Sequence, residues 1–390
     1  MGRVSGTSFK DDILQTALYL LYIYSFDIPF RFAGHAMDAN HYQATVPIYL
    51  RCSICHRLYK DPKCLPCSHS YCEGCLVKLE EQKGGSKITA QAKPRTRIGN
   101  TVKNKHPLSV QIPQYTKPSK VVNGGRKMSH PRDIAFGKDG VWAVVGHTNH
   151  SNYCVYIFDS QDKLTNKFGS DGKTNGQLCN PQGITFDSNN HLYVADNGNQ
   201  RVQKFDINGD YLLQFGKSDS SQIFSPFGIT VYNDKVFVAD HYHSHISVFL
   251  CNGQFSNTFG SGHLKLPHDV AVTNNNQILV ANWDHHCISI FTLDGNYVNK
   301  IGTHACGSDR GQLNYPTSLS VNLNGFVFVA EYGNHRVSIF DKDGIFIHCF
   351  GSSGSSAGQF SNPCGIACSP NGGVYVCDYD NKRIQIFSDH

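Results

Sequence analysis

A β-hairpin pattern that recurs along the chain constrains its fold more than any other sequence feature. Residues 287–302 place two alternating apolar runs on either side of Asp294-Gly295, and Asp-Gly between such runs is a strong signal for a tight turn. The pattern recurs at residues 155–169, 202–216, 246–260 and 337–351. Glycine holds the turn position in the last three, where a positive φ is needed. The first copy carries Gln161-Asp162 instead and predicts a different turn.

The repeated units share a proline near their start and four short apolar segments. The prolines follow one another at intervals of 41 to 50 residues: Pro131, Pro181, Pro226, Pro267, Pro316 and Pro363. In the second unit the segments cover residues 183–186, 192–195, 201–206 and 211–215. Four short strands at this period are typical of a propeller blade, so a mostly β fold is predicted, with a six-bladed β-propeller over residues 117–390.

These units resemble NHL repeats. The resemblance is carried by NPQGITF at residues 180–186, HLYVADNGNQRVQKFD at residues 191–206 and VYVCDYDNKRIQIF at residues 374–387. It covers about two-thirds of the chain and implies an NHL-type β-propeller.

The last unit is one strand short, because the chain stops soon after its third predicted strand at residues 383–387. Residues 119–123 (SKVVN) form an isolated β-prone run ahead of the first proline. We expect this run to pair beside residues 383–387 as the outermost strand of the last blade. That pairing closes the ring and removes its exposed edges.

The 15 cysteines divide into a cluster of six within residues 52–75 and nine scattered singly through the repeats. Two C-x-x-C pairs of the cluster flank a C-x-H pair: Cys52 and Cys55 precede Cys67 and His69, and Cys72 and Cys75 follow them. Thiolate and imidazole groups at this spacing indicate zinc. The scattered thiols form no even framework, which indicates a reducing compartment, and a cytoplasmic location is predicted.

The cluster resembles the RING finger, whose order is C-x-x-C, C-x-H, C-x-x-C and a final cysteine pair. The resemblance implies one zinc ion shared by the first and third pairs and half of a second site in the middle pair. The implied ligands are Cys52, Cys55, Cys72 and Cys75 for the first site, and Cys67 and His69 for the second. It also implies that Ile54 contacts a ubiquitin-conjugating enzyme.

The finger, placed at residues 51–90, departs from the family at its end. Thr89 is followed by Ala90 where the family has its final cysteine pair, and the next cysteine is Cys154. Cys64 is an additional thiol that can replace one missing ligand but not two. A small, incomplete RING-type zinc finger is therefore predicted to precede the propeller.

Two further segments carry less information. Residues 1–50 are an unassigned leader whose apolar run at residues 13–24 is too short to span a membrane, so no membrane partner is expected. Residues 91–116 read as a basic flexible linker. Residues 78–127 hold 12 Lys/Arg against 2 Glu, a local net charge of +10, whereas residues 117–390 hold 20 basic and 22 acidic residues, a net charge of −2.

Three functions follow from these features. The first is an E3 ubiquitin ligase-like protein, in which the zinc finger recruits a conjugating enzyme and the propeller binds a protein substrate. The second is an RNA-binding or protein-scaffold regulator, a role known among NHL propellers; the near-neutral repeats weigh against a basic RNA-binding face. The third, a propeller enzyme as in peptide-amidating lyases of the same repeat family, lacks visible metal ligands around a central channel. The finger favours the first.

Two polar patterns lie inside the repeats. An acidic residue recurs after the second strand, and its repetition favours a structural role in accepting backbone N–H groups: Asp196, Asp240, Glu331 and Asp378. The alternating His241, His243 and His245 are expected on one side of a strand or in a loop. A metal role for them is not favoured, because the sequence shows no evident carboxylate partner.

Overall fold

The computed structural model describes residues 117–123, 128–148, 152–217, 223–303 and 305–388, Tyr115, and two short strands ahead of them. These strands, β1 (Pro62–Cys64) and β2 (Ser70–Cys72), pair antiparallel, with Cys64 opposite Ser70. The backbone of Cys72 falls in β2. The other predicted zinc ligands, Ile54 and residues 1–50 lie outside the described residues, as does the predicted linker except for Tyr115.

The rest of the described chain is a six-bladed β-propeller, as predicted, with four antiparallel strands in each blade. Blades 1 and 2 comprise β4 (Ser129–Phe136), β5 (Trp142–Thr148), β6 (Asn152–Phe158) and β7 (Leu164–Phe168), then β8 (Ile184–Phe186), β9 (Leu192–Asp196), β10 (Arg201–Phe205) and β11 (Tyr211–Phe215). Blades 3 and 4 comprise β12 (Pro226–Tyr232), β13 (Lys235–Asp240), β14 (His245–Leu250) and β15 (Phe255–Phe259), then β16 (Pro267–Val272), β17 (Gln277–Asn282), β18 (Cys287–Thr292) and β19 (Tyr297–Ile301). Blades 5 and 6 comprise β20 (Pro316–Val321), β21 (Val327–Glu331), β22 (Arg336–Phe340) and β23 (Phe346–Phe350), then β24 (Pro363–Cys368), β25 (Val374–Asp378), β26 (Arg383–Phe387) and β3 (Lys120–Val122).

The first strand of each blade lies innermost and contacts the first strands of the neighbouring blades, so these six strands surround the central axis. Each first strand begins on the face that carries the loops between second and third strands and the connections between blades, which we call the loop face. The opposite face carries the remaining turns of each blade. Short 3₁₀ segments occur at Lys138–Gly140, Asn197–Asn199 and Trp283–His285, and none of the described helical segments has the length and apolar character needed to span a bilayer.

The predicted closure of the ring is confirmed by the pairing of β3 with β26. Val122 lies opposite Ile384, and the Ser119 backbone N–H donates to the Ile386 carbonyl at 2.8 Å. β3, which precedes blade 1 in the chain, is thus the outer strand of blade 6. This arrangement covers the edge of β26 that the missing fourth strand would otherwise leave open.

Asp162 joins the closing strand to both terminal blades. Its carboxylate forms an ion pair with Lys120 at 2.8 Å and accepts hydrogen bonds from the Trp142 indole at 3.1 Å and the Tyr375 hydroxyl at 3.0 Å. One side chain therefore cross-links β3, blade 1 and blade 6.

Asp162 adopts φ 60° at the position that glycine holds in the other copies, and its N–H donates to the Asp159 carbonyl as Gly209 N–H does to Asp206. The prediction of a different turn was therefore wrong, because an aspartate can also adopt the positive φ that this turn needs.

Hydrophobic side chains fill the spaces between adjacent blades. Trp142 stacks on Phe158 at 4.0 Å between ring centroids and packs, in the cluster between blades 1 and 6, against Ile384. The hairpin turns follow the predicted chemistry: Gly295 has φ 84°, and a Cβ there would lie 2.5 Å from the Cβ of Phe259 in the preceding blade. Both the conformation and the close approach favour glycine at this turn.

Candidate functional site

The acidic residue after the second strand is a buried anchor for the connection that enters its blade. In blade 2, Asp196 is fully buried and accepts the Cys179 backbone N–H at 2.7 Å. Its other oxygen forms an ion pair with Arg201 Nε at 2.7 Å. Arg201 also donates to the carbonyls of Thr174 and Gln177, both at 2.9 Å. Burial raises the pKa of Asp196, and the hydrogen bonds and the guanidinium oppose that shift.

Blades 5 and 6 repeat this set with the same spacing. Glu331 pairs with Arg336 at 2.7 Å, and Asp378 pairs with Arg383 at 2.7 Å. Each carboxylate also accepts a backbone N–H from the incoming connection, as the sequence led us to expect. The arginine five residues after the acid is a partner that sequence reasoning missed, although its constant spacing was visible.

Blade 3 has histidines in place of that arginine and of the asparagine two residues before it. Asp240 is fully buried and accepts the backbone N–H groups of Phe224 and Ser225 at 3.0 and 3.2 Å. His243 Nδ1 lies 2.9 Å from Asp240 Oδ2. The ring of His245 stacks against that of His243, with centroids 5.5 Å apart. The expectation that no carboxylate accompanies these histidines was therefore wrong, because Asp240 lies between them and the connection.

His241 departs from the pattern of its neighbours. It follows β13 directly and is buried against Phe227, with ring centroids 4.4 Å apart. His243 and His245 instead approach Asp240, so the three histidines do not share one side of a strand. The chain turns between β13 and β14, and this turn breaks the alternation on which the prediction depended.

A rim of aromatic and imidazole rings lies where the innermost strands begin on the loop face. In blades 3 to 5 the rings of Phe227, His241, His268, Trp283 and Tyr315 form a continuous chain of contacts, with neighbouring centroids 4.2 to 5.4 Å apart. Trp283 and Tyr315 are half-buried, so part of each residue remains exposed at the rim, whereas the His268 Nε2 atom is buried. Aromatic surface that remains accessible in this way is typical of a binding site.

The rim continues across blades 6 and 1 with a second group of rings. His130 contacts Tyr379 at 4.9 Å and His147 at 5.8 Å between centroids. Arg132 lies over the Tyr379 ring at 5.3 Å and donates to Gln182 Oε1 at 3.0 Å. Arg132 thus brings a permanent positive charge to a rim that otherwise consists mainly of aromatic and imidazole groups.

The histidines of the rim in blades 3 and 4 are neutral at physiological pH. Burial lowers the pKa of His241 to about 4. Burial, with a smaller contribution from the nearby imidazole of His241, lowers the pKa of His268 well below its usual value. A desolvated imidazole loses the hydration that stabilises its charged form. The surface that these rings present is therefore aromatic and weakly polar rather than cationic.

A carboxylate on the innermost strand of blade 4 serves the packing between blades. Asp269 is buried and accepts the Ser318 hydroxyl at 2.7 Å and the Leu319 backbone N–H at 2.9 Å, both from blade 5. Burial raises its pKa to about 6, against the opposing effect of these hydrogen bonds. Gly228 in blade 3 gives it room, because a Cβ there would lie 2.3 Å from Asp269 Oδ1.

Sequence reasoning missed this rim because its members come from different blades. In blades 3 and 4 the rim residues follow the initial proline or the second strand: Phe227 and His241 in blade 3, and His268 and Trp283 in blade 4. Tyr315 and His130 instead precede the initial prolines of their blades. An alignment of the repeats around the initial proline and after the second strand would have shown that rings recur at these positions. The predicted zinc ligands, by contrast, lie outside the described residues or, for Cys72, within a strand described by its backbone alone.

Family models match two parts of the chain. NHL repeats match residues 178–205, 264–291, 313–340 and 360–387, which fall in or just before the strands of blades 2, 4, 5 and 6. A RING-type zinc finger matches residues 52–90. The second match ends at Ala90, where the sequence lacks the final cysteine pair.

Two curated proteins are similar to parts of this chain. The chain is 34% identical to the protein brain tumor of Drosophila melanogaster over 113 residues, which cover 28% of this chain and 11% of that protein. It is 59% identical to tripartite motif-containing protein 59 of Gallus gallus over 27 residues, 7% of each. The chain thus matches only a small share of these relatives' lengths.

Among solved structures, a protein of unknown function from Bacteroides thetaiotaomicron superposes with a TM-score of 0.50 at 13% identity. The superposition covers 67% of this chain and 70% of the other. At that identity the likeness supports the propeller fold alone.

Proposed function

Since this chain is a RING/NHL protein of the tripartite-motif type, we propose that it acts as an E3 ubiquitin ligase-like adaptor whose propeller rim binds a protein partner. Its zinc finger contacts a ubiquitin-conjugating enzyme, with Ile54 at the contact. The observation that carries the proposal is the occurrence, in one chain, of a RING-type sequence and a closed propeller. The finger then binds the conjugating enzyme and the propeller binds the protein partner, so one chain brings the two together.

The finger holds one complete zinc site in this proposal. Cys52, Cys55, Cys72 and Cys75 provide four thiolates, the ligand number of a closed structural zinc site. Cys67 and His69 are left with half a site, because the final cysteine pair is missing. A loop that lacks its metal loses folding free energy and holds its position less well. The adaptor therefore binds the conjugating enzyme but transfers ubiquitin weakly or not at all.

The rim favours a protein over RNA as the partner of the propeller. RNA binding draws most of its affinity from cations that neutralise phosphates. At the rim Arg132 is engaged with Gln182 and the Tyr379 ring, and His241 and His268 are neutral. Half-buried aromatic rings such as Trp283 and Tyr315 suit apolar or aromatic side chains of a polypeptide. An RNA-binding or scaffold role remains the alternative to be tested.

A reconstituted ubiquitin-transfer assay tests the proposal. The purified full chain is incubated with activating enzyme, a panel of conjugating enzymes, ubiquitin and ATP, and binding of each conjugating enzyme is measured in parallel. We expect binding that Ile54→Ala and Cys52→Ala remove, with little ubiquitin transfer. Binding of no conjugating enzyme contradicts the adaptor role, and robust transfer contradicts the weak-ligase view. Tight RNA binding that weakens steeply with salt supports the alternative.

A further inference from the structure

The carboxylate of blade 3 lacks the arginine that its counterparts in blades 2, 5 and 6 have. Asp196, Glu331 and Asp378 each pair with an arginine five residues later, at 2.7 Å. At the equivalent position blade 3 has His245, and at the position three residues after the acid it has His243. A fully buried carboxylate needs a compensating charge or strong hydrogen bonds, because desolvation of the anion is costly.

We propose that a zinc ion, held by Asp240, His243 and His245, takes the place of the arginine in blade 3. A carboxylate oxygen and one nitrogen of each imidazole all lie within 4.8 Å of one another. Ligand atoms bound to tetrahedral zinc at ~2.0–2.1 Å are ~3.4 Å apart, so small side-chain rotations bring the three onto one ion. A water molecule completes the coordination.

The carboxylate is held in place before any metal binds. The backbone N–H groups of Phe224, Ser225 and His243 donate to Asp240 at 3.0, 3.2 and 3.3 Å. These three donors contact both carboxylate oxygens and so hold the carboxylate in position. A ligand with a fixed position loses little entropy when the ion binds, which favours a preformed site.

The two imidazoles suit zinc in different ways. His245 is half-buried at the start of β14, where its ring stacks on that of His243. Its Nε2 also lies 3.1 Å from the Ser247 hydroxyl, a hydrogen bond that orients the ring. The His243 side chain is 39% exposed, which leaves a path for the ion from solvent. Two nitrogens and one oxygen match zinc better than calcium or magnesium.

The ion would cross-link three segments of the loop face. Asp240 ends β13, His245 begins β14, and Phe224 and Ser225 belong to the connection that enters blade 3. In the sister blades the arginine makes the corresponding link by bonding both the acid and carbonyls of the incoming connection. The zinc site therefore performs the same structural task with different chemistry.

Exchange of the ligands for the sister-blade set provides the test. The double variant H243N/H245R gives blade 3 the asparagine and arginine that accompany Asp378 in blade 6, so it should fold without metal. Both forms are made in the full chain with Cys52→Ser, which removes the complete finger site. Zinc is measured after equilibrium dialysis, and the thermal midpoint of the propeller is recorded with and without added zinc chloride.

We expect the form with the native histidines to bind one more zinc ion than the double variant. Added zinc should raise the thermal midpoint of that form and leave the midpoint of the double variant unchanged. Cobalt at this site should lack the charge-transfer absorption that thiolates produce, which separates it from binding at the finger. Equal zinc content in the two forms, or stabilisation by calcium instead, overturns the proposal. If the double variant does not fold, His243→Asn alone must still lose the zinc. Retention of that zinc also overturns it.

Discussion

Removal of the closing strand should destabilise the propeller far more than removal of everything before it. We compare a chain that begins after Asn123 with one that begins after Lys105. The first loses β3 and Tyr115, and the second keeps both. Residues 1–105 are absent from both chains, so the difference in thermal midpoint reports the closure.

The expected magnitude follows from the two side chains that the longer truncation removes from the core. Tyr115 is buried and contacts the rings of Phe328, Phe350 and Phe387 at 5.9, 5.1 and 6.5 Å between centroids. Loss of a buried aromatic side chain costs about 3–5 kcal/mol. Val122 is also buried, and its burial contributes about 1.5–3 kcal/mol.

The backbone of β3 changes this figure little. Each of its hydrogen bonds contributes ~1 kcal/mol net, and the ordering of each residue costs ~1–2 kcal/mol, so these terms roughly offset each other. The side chains then leave a loss of about 5–8 kcal/mol as an upper estimate. For a domain of this size ~1 kcal/mol corresponds to ~2 °C, which gives a fall of roughly 10–16 °C.

Differential scanning calorimetry of the two truncated chains measures that fall. In the full chain, Tyr115→Ala should reproduce much of it, whereas Leu323→Ala, at a side chain that is 75% exposed, should not. Truncation midpoints within ~2 °C of each other would show that β3 and Tyr115 contribute little. The pairing of β3 with β26 would then make no measurable contribution to the stability of the propeller.

Three further changes test other parts of the structure. Arg383→Leu leaves Asp378 buried without its cation and should cost about 3–5 kcal/mol, or roughly 6–10 °C in the thermal midpoint. The matched control Lys342→Leu breaks an exposed pair with Asp343 and should leave the midpoint unchanged, so equal effects would contradict the argument. His268→Phe should make the protein lose less stability as pH falls below 6.5. The pKa of His268 is lower in the folded chain than in the unfolded chain, so protonation at low pH favours unfolding, and phenylalanine removes this effect. An unchanged pH profile would contradict the neutral rim. A cysteine pair at positions 90 and 93, which replaces Ala90 and Lys93, should raise ubiquitin transfer, and no gain would place the defect elsewhere.

The architecture of the propeller could be read from the sequence because its determinants are local and repeated. The hairpin turns, the initial prolines and the alternating apolar runs each specify a short segment, and the six units that begin at these prolines specify the ring. The position of β3 was also predictable, since an unpaired edge on β26 and one spare β-prone run leave a single simple pairing. The cysteine spacing of the finger indicates zinc in the same local way.

What only the tertiary structure decided was which distant residues share a site. The rim unites Trp283 of blade 4 with Tyr315 at the start of blade 5, and Tyr379 of blade 6 with His130 of blade 1. Asp240 meets His243 and His245 because the chain turns between β13 and β14, and that turn interrupts the period on which the sequence argument relied. A sequence pattern records spacing along one strand. Contacts across a turn or between blades depend on how the strands pack, and packing is a property of the whole ring.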